Sequence, residues 1–298
     1  VLFVGKLRTF PFLGGYKLWD DVLIDDFFSR CSGVSRAGVN RVMKTHIQVK
    51  SKGTVRHCLV SVILPIYNEV ECIEQTFDAV LNYAKEHPAY QFIFVNDGSS
   101  DRTQELLEKK LGATEAEQIR LISYHDRRGK GHAVKIGVEC AEGTYICFID
   151  GDLAYSLDHI DLLIEKLDRS DLVIGSRGLA RRQIVGLRLS RRVAGKVFNI
   201  LSNLILGLHY RDMQAGLKGF RKWVAQDLFR KQRLDGFSFD VELIYLAKKE
   251  GYRISEIPAI VSDDHGKKTS QVKLVQDSMQ MFFDLLIIRF NDILGHYE

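Results

Sequence analysis

The sequence predicts an α/β fold with a mostly parallel sheet flanked by helices, and three observations predict it. Four short apolar runs, LVSVIL, FIFV, IRLIS and YICFI, begin at residues 59, 92, 119 and 145. Helix-like segments lie between them near 69–86, 101–111 and 131–141, and strands alternating with such helices make βαβ units. Each run ends in a polar loop, and open parallel sheets bind ligands at the carboxyl ends of their strands. The composition agrees: 298 residues, 46% apolar and 27% charged with 4 prolines, describe a globular chain of one large domain or two ordinary ones.

Residues 1–57 precede this pattern. They mix Phe3, Phe10, Phe12, Trp19, Phe27 and Phe28 with a basic, Gly- and Ser-containing stretch from Arg30 to Lys52, and read as an N-terminal extension. The first run leads into Pro65-Ile66-Tyr67-Asn68-Glu69, where a proline ends the strand, an aromatic ring can stack on a base, and Asn or Glu can cap the next helix. A plain strand-to-helix turn accounts for the same residues. After the second run, Asn96-Asp97-Gly98-Ser99-Ser100-Asp101 is either an Asx turn or a loop whose Asp97 accepts hydrogen bonds from a base or ribose. The third is followed by Arg127-Arg128-Gly129-Lys130-Gly131, which can hold phosphate at a helix start or form a solvated basic turn; the Walker spacing is absent.

The fourth strand runs directly into Asp150-Gly151-Asp152. Two carboxylates this close repel each other unless a cation joins them. Mg²⁺ or Mn²⁺ accepts such oxygens and keeps coordination positions for substrate phosphates. Asp150 and Asp152 are therefore the expected metal ligands.

In order, PIYNE, NDGSSD, the GKG with its preceding arginines, and DGD resemble the inverting family 2 glycosyltransferases of GT-A fold, whose sheet is Rossmann-like and mixed. Gly175-Ser176-Arg177, the stretch from Asp212 to Phe220, and Phe239-Asp240-Val241-Glu242 are similar to the dolichyl- or polyprenyl-phosphate sugar synthases, the mannose and glucose synthases among them. The resemblance covers about 59–262. It implies a transferase domain at 58–266 that moves glucose or mannose from UDP-glucose or GDP-mannose to a polyprenyl or dolichyl phosphate. Carried over by position, Pro65, Tyr67, Asn68, Glu69 and Asp97 would line the base and ribose, with Lys130 and Arg128 beside them. Asp150 and Asp152 would hold the metal. Arg177 and Arg191 would bind the acceptor phosphate, and Asp212, Gln214, Asp240 and Glu242 would complete the floor around the sugar; Asp150, Asp152, Asp240 and Glu242 are the implied catalytic residues. The chain departs from the family at Asn96, where VDDGS is usual, and at Ala154, where some mannose synthases have a polar ligand. Both departures leave the sugar open.

Acceptor chemistry separates the alternatives. A saccharide hydroxyl needs a general base, for which Asp240 or Glu242 would serve. A phosphate monoester is already ionised and needs positioning and charge compensation, a task that suits the planar arginine fork. From 172 to 211 the chain has eight Lys and Arg and no Asp or Glu; the other 258 residues hold 34 basic and 38 acidic side chains. The overall +4 thus conceals a basic belt beside the apolar run 197–208, a pattern that fits a helix lying on an anionic leaflet. No nucleic-acid motif accompanies it. Intact Asp150 and Asp152 argue against a binding module without turnover, and a nucleotidyltransferase shares only the α/β frame.

Apolar residues at 272, 275, 279, 282, 283, 286, 290, 293 and 294 predict a C-terminal amphipathic helix within 267–298, packed on the domain or in a homodimer contact. The loop before it carries Asp263, Asp264 and His265, read as a lid or a surface loop. No run reaches the ~20 apolar residues of a membrane span. Five cysteines without a CxxC pair disfavour a disulfide framework or zinc ribbon and suit a reducing compartment. The expectation is a cytoplasmic protein, peripheral at the cytoplasmic face of a membrane.

Overall fold

The computed structural model describes residues 47–53, 55, 58–180, 189–262 and 274–298, within the unit 43–298. The strands are β1 (Gln48–Ser51), β2 (Val60–Ile66), β3 (Tyr90–Asp97), β4 (Ile119–Tyr124), β5 (Tyr145–Ile149), β6 (Leu172–Ser176), β7 (Leu217–Arg221) and β8 (Ile254–Pro258). The helices are α1 (Ile73–Glu86), α2 (Thr103–Gly112), α3 (Lys130–Glu139), α4 (His159–Leu167), α5 (Leu189–Leu206), α6 (Lys222–Lys231), α7 (Phe239–Lys249) and α8 (Leu274–Ile293).

All described strands join one sheet in the order β1-β4-β3-β2-β5-β7-β6-β8. Strands β2 to β5 are parallel to one another, and β6 is parallel to β8. Helices cover both faces of a parallel sheet, so its strands read as unbroken apolar runs rather than alternating ones. On α1, Ile73, Phe77, Val80 and Ala84 recur at helical spacing and are buried, with the Phe77 ring stacked on Phe94 of β3 at 5.7 Å. The chain winds outward from β2 through β3 to β4, then returns to the other side of β2 as β5. This reversal makes the carboxyl ends of β2 and β5 the switch point where a crevice opens.

Strand β7 lies antiparallel between β5 and β6, pairing Leu217 with Ile149 and Gly219 with Cys147. Its amino-terminal end therefore meets the carboxyl tip of β5. The apolar-run reading misses β7 because Lys218 and Gly219 interrupt it, yet Lys218 is fully buried. It also misses β1, which lies inside the stretch 1–57 set apart as an extension and pairs with β4 at the sheet edge. All four β1 residues are exposed, so no apolar alternation marks the strand.

Helix α8 occupies the segment where the C-terminal amphipathic helix is expected, and it packs against α5. Leu285 and Ile288 are buried, while Met279, Phe283, Phe290 and Ile293 remain exposed; on α5, Val197, Ile200 and Leu204 are exposed too. No helix among the described residues is long and apolar enough to cross a membrane. Residues 263–273, including Asp263, Asp264 and His265, lie outside the described residues, as do Arg181, Arg182 and Arg188.

Candidate active site

The crevice is built on the tip of β5. The backbone of Asp150 donates to the Gly216 carbonyl at 2.9 Å, which fixes the carboxylate over the start of β7. A Cβ on Gly216 would lie 2.1 Å from both Asp150 carboxylate oxygens, so only glycine admits this approach. Gly151 answers to the same constraint from the β2 side, where a Cβ would meet the Pro65 carbonyl at 2.6 Å. Strand crowding thus explains the small residue between the two aspartates.

Lys130, in the first turn of α3, brings Nζ to 2.7 Å from Asp150 Oδ1 and 4.0 Å from Asp240 Oδ2. Burial depresses this ammonium, but Asp150 and Asp240 outweigh it and hold its pKa above the ordinary lysine value. Asp240 stands in the first turn of α7, where a carboxylate suits the positive helix end. Its other oxygen takes a 2.6 Å hydrogen bond from Lys218 Nζ, which also donates to the carbonyls of Met213 and Ala215. Burial pulls the Lys218 pKa down against the attraction of Asp240. The Phe148 ring lies near both ammoniums, 5.9 Å from that of Lys130 and 5.5 Å from that of Lys218.

The loops after β2, β3 and β4 form the neighbouring wall. Asn68, at φ 52°, accepts from the Ser100 backbone at 2.8 Å, and the Glu69 backbone donates to Thr103 Oγ1 at 2.9 Å. Glu69 also accepts from the Cys72 thiol at 3.1 Å. Tyr67 faces a partner that the motif reading passed over: the Arg127 guanidinium sits 4.0 Å above its ring. Arg128, the residue favoured from the motif, turns its backbone N–H toward Asp97 at 2.7 Å. Asp97 also accepts from Gly129 and from the Tyr124 hydroxyl and is only 3% exposed. Burial raises its pKa, opposed by those donors. In this arrangement Asp97 holds the Arg128–Gly129 turn.

On the far side, after β6, Arg177 forks onto Asp212 with Nε and Nη2 at 2.6 and 2.9 Å from the two carboxylate oxygens. Burial raises the Asp212 pKa, but the guanidinium outweighs it and the net shift is downward. The Arg177 side chain is 38% exposed, so it faces both its partner and the solvent. Gln214 donates its backbone N–H to Asp212, and its amide nitrogen lies 4.0 Å from Met281 Sδ of α8. Arg191 falls on α5, but its side chain is outside the described residues.

Glu242 lies apart from this group. It is fully buried and accepts hydrogen bonds from the backbones of Arg233 and Leu234 and from the Tyr297 hydroxyl. Of the two α7 carboxylates, Asp240 alone touches the Lys130–Lys218 pair. Their two-residue spacing in the sequence gives no hint of this division. Lys218 is also missed there, since a buried lysine inside a strand carries no distinguishing pattern, and nothing in the basic stretch 127–131 ranks Arg127 above Arg128.

The donor set at the β5 tip suits a hard cation. Asp150 already receives one positive charge from Lys130, and Asp152 Oδ1 accepts from the Ala154 backbone at 3.1 Å. Among the described residues no group of three or more His, Cys, Asp or Glu could hold a metal. Two aspartates leave the remaining positions to water and ligand oxygens, as Mg²⁺ and Mn²⁺ sites on phosphates do.

Comparison with known proteins identifies the family and the fold. The family model described as Glycosyl transferase family 2 matches residues 61–229. A dolichyl-phosphate beta-glucosyltransferase of Dictyostelium discoideum is 30% identical over 263 residues, covering 84% of this chain and 80% of that protein. The enzyme of the same description from Saccharomyces cerevisiae is 29% identical over 259 residues, covering 80% and 76%. Among solved structures, glucosyl-3-phosphoglycerate synthase of Mycobacterium tuberculosis, in complex with Mn²⁺, UDP and glucosyl-3-phosphoglycerate, superposes with a TM-score of 0.54 at 16% identity, covering 80% of each chain. Mannosyl-3-phosphoglycerate synthase of Rubrobacter xylanophilus gives 0.55 at 18%, covering 80% of this chain and 75% of the other. These two likenesses are of fold, and they are to GT-A glycosyltransferases. By its family match and its relatives, this chain belongs to glycosyl transferase family 2 and is a glycosyltransferase.

Proposed function

We propose that this enzyme transfers glucose from a nucleoside-diphosphate donor, UDP-glucose in the first instance, to the phosphate of a polyprenyl or dolichyl lipid, with inversion at the anomeric carbon. One observation supports the choice of acceptor: both carboxylates considered as a general base are engaged within the protein. Asp240 is held by Lys218 at 2.6 Å with Lys130 at 4.0 Å, and Glu242 is fully buried. A hydroxyl acceptor would need such a base, whereas an ionised phosphate does not. The names of the relatives, dolichyl-phosphate beta-glucosyltransferases, favour the same acceptor and favour glucose over mannose.

In this reading Tyr67 and Arg127 flank the base, with Pro65, Asn68 and Glu69 shaping its loop, and Asp97 holds the turn carrying Arg128 and Lys130. Asp150 and Asp152 would hold Mg²⁺ or Mn²⁺, which when bound supplies Lewis-acid stabilisation of the leaving diphosphate. Lys130 adds a positive charge on the same side. Asp240 and Gln214 line the sugar, and Glu242 braces the floor from beneath. Arg177, fixed by Asp212 and still exposed at its edge, with Arg191 on the basic helix, orients the acceptor phosphate. The exposed apolar side chains of α5 and α8 would rest on the membrane surface that holds the lipid, at its cytoplasmic face.

The test is incubation with labelled UDP-glucose and Mn²⁺, offering polyprenyl phosphate in one arm and oligosaccharide in another. Label is expected in the organic phase of the first. Label entering only oligosaccharide would refute the lipid acceptor.

A further inference from the structure

We infer that Tyr297 is a positioning residue for the donor site, acting through Glu242 on the turn that carries Lys130. The connection is continuous. The Tyr297 hydroxyl donates to Glu242 Oε1 at 2.7 Å, and that carboxylate accepts from the Arg233 backbone at 3.0 Å and the Leu234 backbone at 2.9 Å. The next residue, Asp235, offers its carbonyl to the backbone N–H groups of Gly131 and His132, at 2.8 and 3.3 Å. Between them and Asp97 lies Lys130, whose ammonium reaches Asp150. A second tie runs from Arg233 Nη2 to the His296 carbonyl at 3.1 Å.

The packing is as close as the bonding. Gly129, at φ 118°, would place a Cβ 2.4 Å from the Asp235 carbonyl, and Gly131 would place one 2.8 Å from that of Leu234. The Lys130 turn therefore lies flat against 234–235 and is held on its other side by Asp97. A shift of the 233–235 loop must move Lys130 with it.

Tyr297 matters because Glu242 is a carboxylate with no solvent access. Burial outweighs the Tyr297 hydroxyl, the two backbone donors and, at longer range, Lys135 of α3, and its pKa is pushed up to about 7. Removing the hydroxyl leaves an under-donated buried carboxylate, which costs far more than an exposed one. Protonation or rotation of that group then slackens its hold on 233–234.

The inference rests on the reading of Lys130 as a contact for the donor's phosphates, and the test separates the two. UDP binding to the Mn²⁺-loaded protein is titrated calorimetrically for wild type, Tyr297→Phe, Glu242→Gln and the double variant. Tyr297→Phe keeps the buried ring and is expected to weaken UDP about tenfold at unchanged stoichiometry. Glu242→Gln should weaken it comparably, and the double variant no more than Glu242→Gln alone, as residues acting in one chain do. Tyr245→Phe is the control. It removes a hydroxyl that donates to Asp292 and accepts from Arg289, both on α8, and that makes no direct hydrogen bond to Glu242 or to 233–235, and it should leave UDP affinity unchanged. Wild-type affinity in Tyr297→Phe, or a fall in binding stoichiometry alone, overturns the inference. Wild-type protein that binds no UDP overturns the donor-site reading, and this inference with it.

Discussion

Replacing Gly216 by alanine should separate the enzyme's stability from its activity. The new Cβ would stand 2.1 Å from both oxygens of Asp150 and 2.2 Å from its Cγ, whereas real Cβ contacts essentially never fall under 3.0 Å. The carboxylate must retreat by roughly 1 Å. It sits at the end of a short side chain that can rotate, so the sheet need not move. What changes is the placement of the carboxylate proposed to hold the metal, including its 2.7 Å contact with Lys130. Misplacing a catalytic group by about 1 Å costs on the order of 10²-fold in rate. Thermal unfolding of Gly216→Ala is therefore expected within a few degrees of wild type, with glucose transfer from UDP-glucose reduced about a hundredfold. Gly112→Ala, where a Cβ meets nothing within 4 Å, should change neither. Near wild-type transfer by Gly216→Ala would refute the reasoning, because it would mean that the position of the Asp150 carboxylate does not limit the reaction.

Three further outcomes follow from the same geometry. Arg177→Ala removes the fork on Asp212 and should raise the acceptor KM by about tenfold or more, since a charge-assisted hydrogen bond is worth ~1.5–3 kcal/mol; steady-state kinetics should show the donor KM changed far less. Lys218→Met leaves Asp240 without its closest cation in a buried setting and should destabilise the fold by about 3–5 kcal/mol, read as a lower urea midpoint. Replacing exposed Phe290 and Ile293 by serine should reduce flotation with anionic vesicles while sparing the rate on a short, water-soluble polyprenyl phosphate.

The central sheet could be read from sequence because β2 to β5 are buried on both faces, which leaves a continuous apolar run followed at once by the functional loop. DGD stands out because two carboxylates separated by one residue at a strand tip repel each other unless a cation joins them. The second half resisted the same logic. Strand β7 spends a position on fully buried Lys218, whose meaning appears only when Asp240 is brought to it from α7. Gly216 reads as an ordinary turn glycine until the antiparallel pairing sets it against Asp150. Arg127 and Arg128 differ by one position, and the direction of each follows from Asp97 capturing the Arg128 N–H. Asp240 and Glu242 look equivalent as letters, yet opposite faces of α7 assign one to the crevice and the other to a buried brace. The basic belt was plain as composition, while the side chain of Arg191 lies outside the described residues.

A phosphate acceptor needs no carboxylate base, whereas a hydroxyl acceptor does. Phosphorus NMR of the product formed from UDP-glucose and a polyprenyl phosphate, with the unphosphorylated polyprenol run alongside, reads this choice without relying on partition. Conversion of the acceptor's monoester resonance to that of a glycosyl phosphodiester, with no product from the polyprenol, is the predicted result. A product that retains the monoester and carries glucose on a hydroxyl would contradict it.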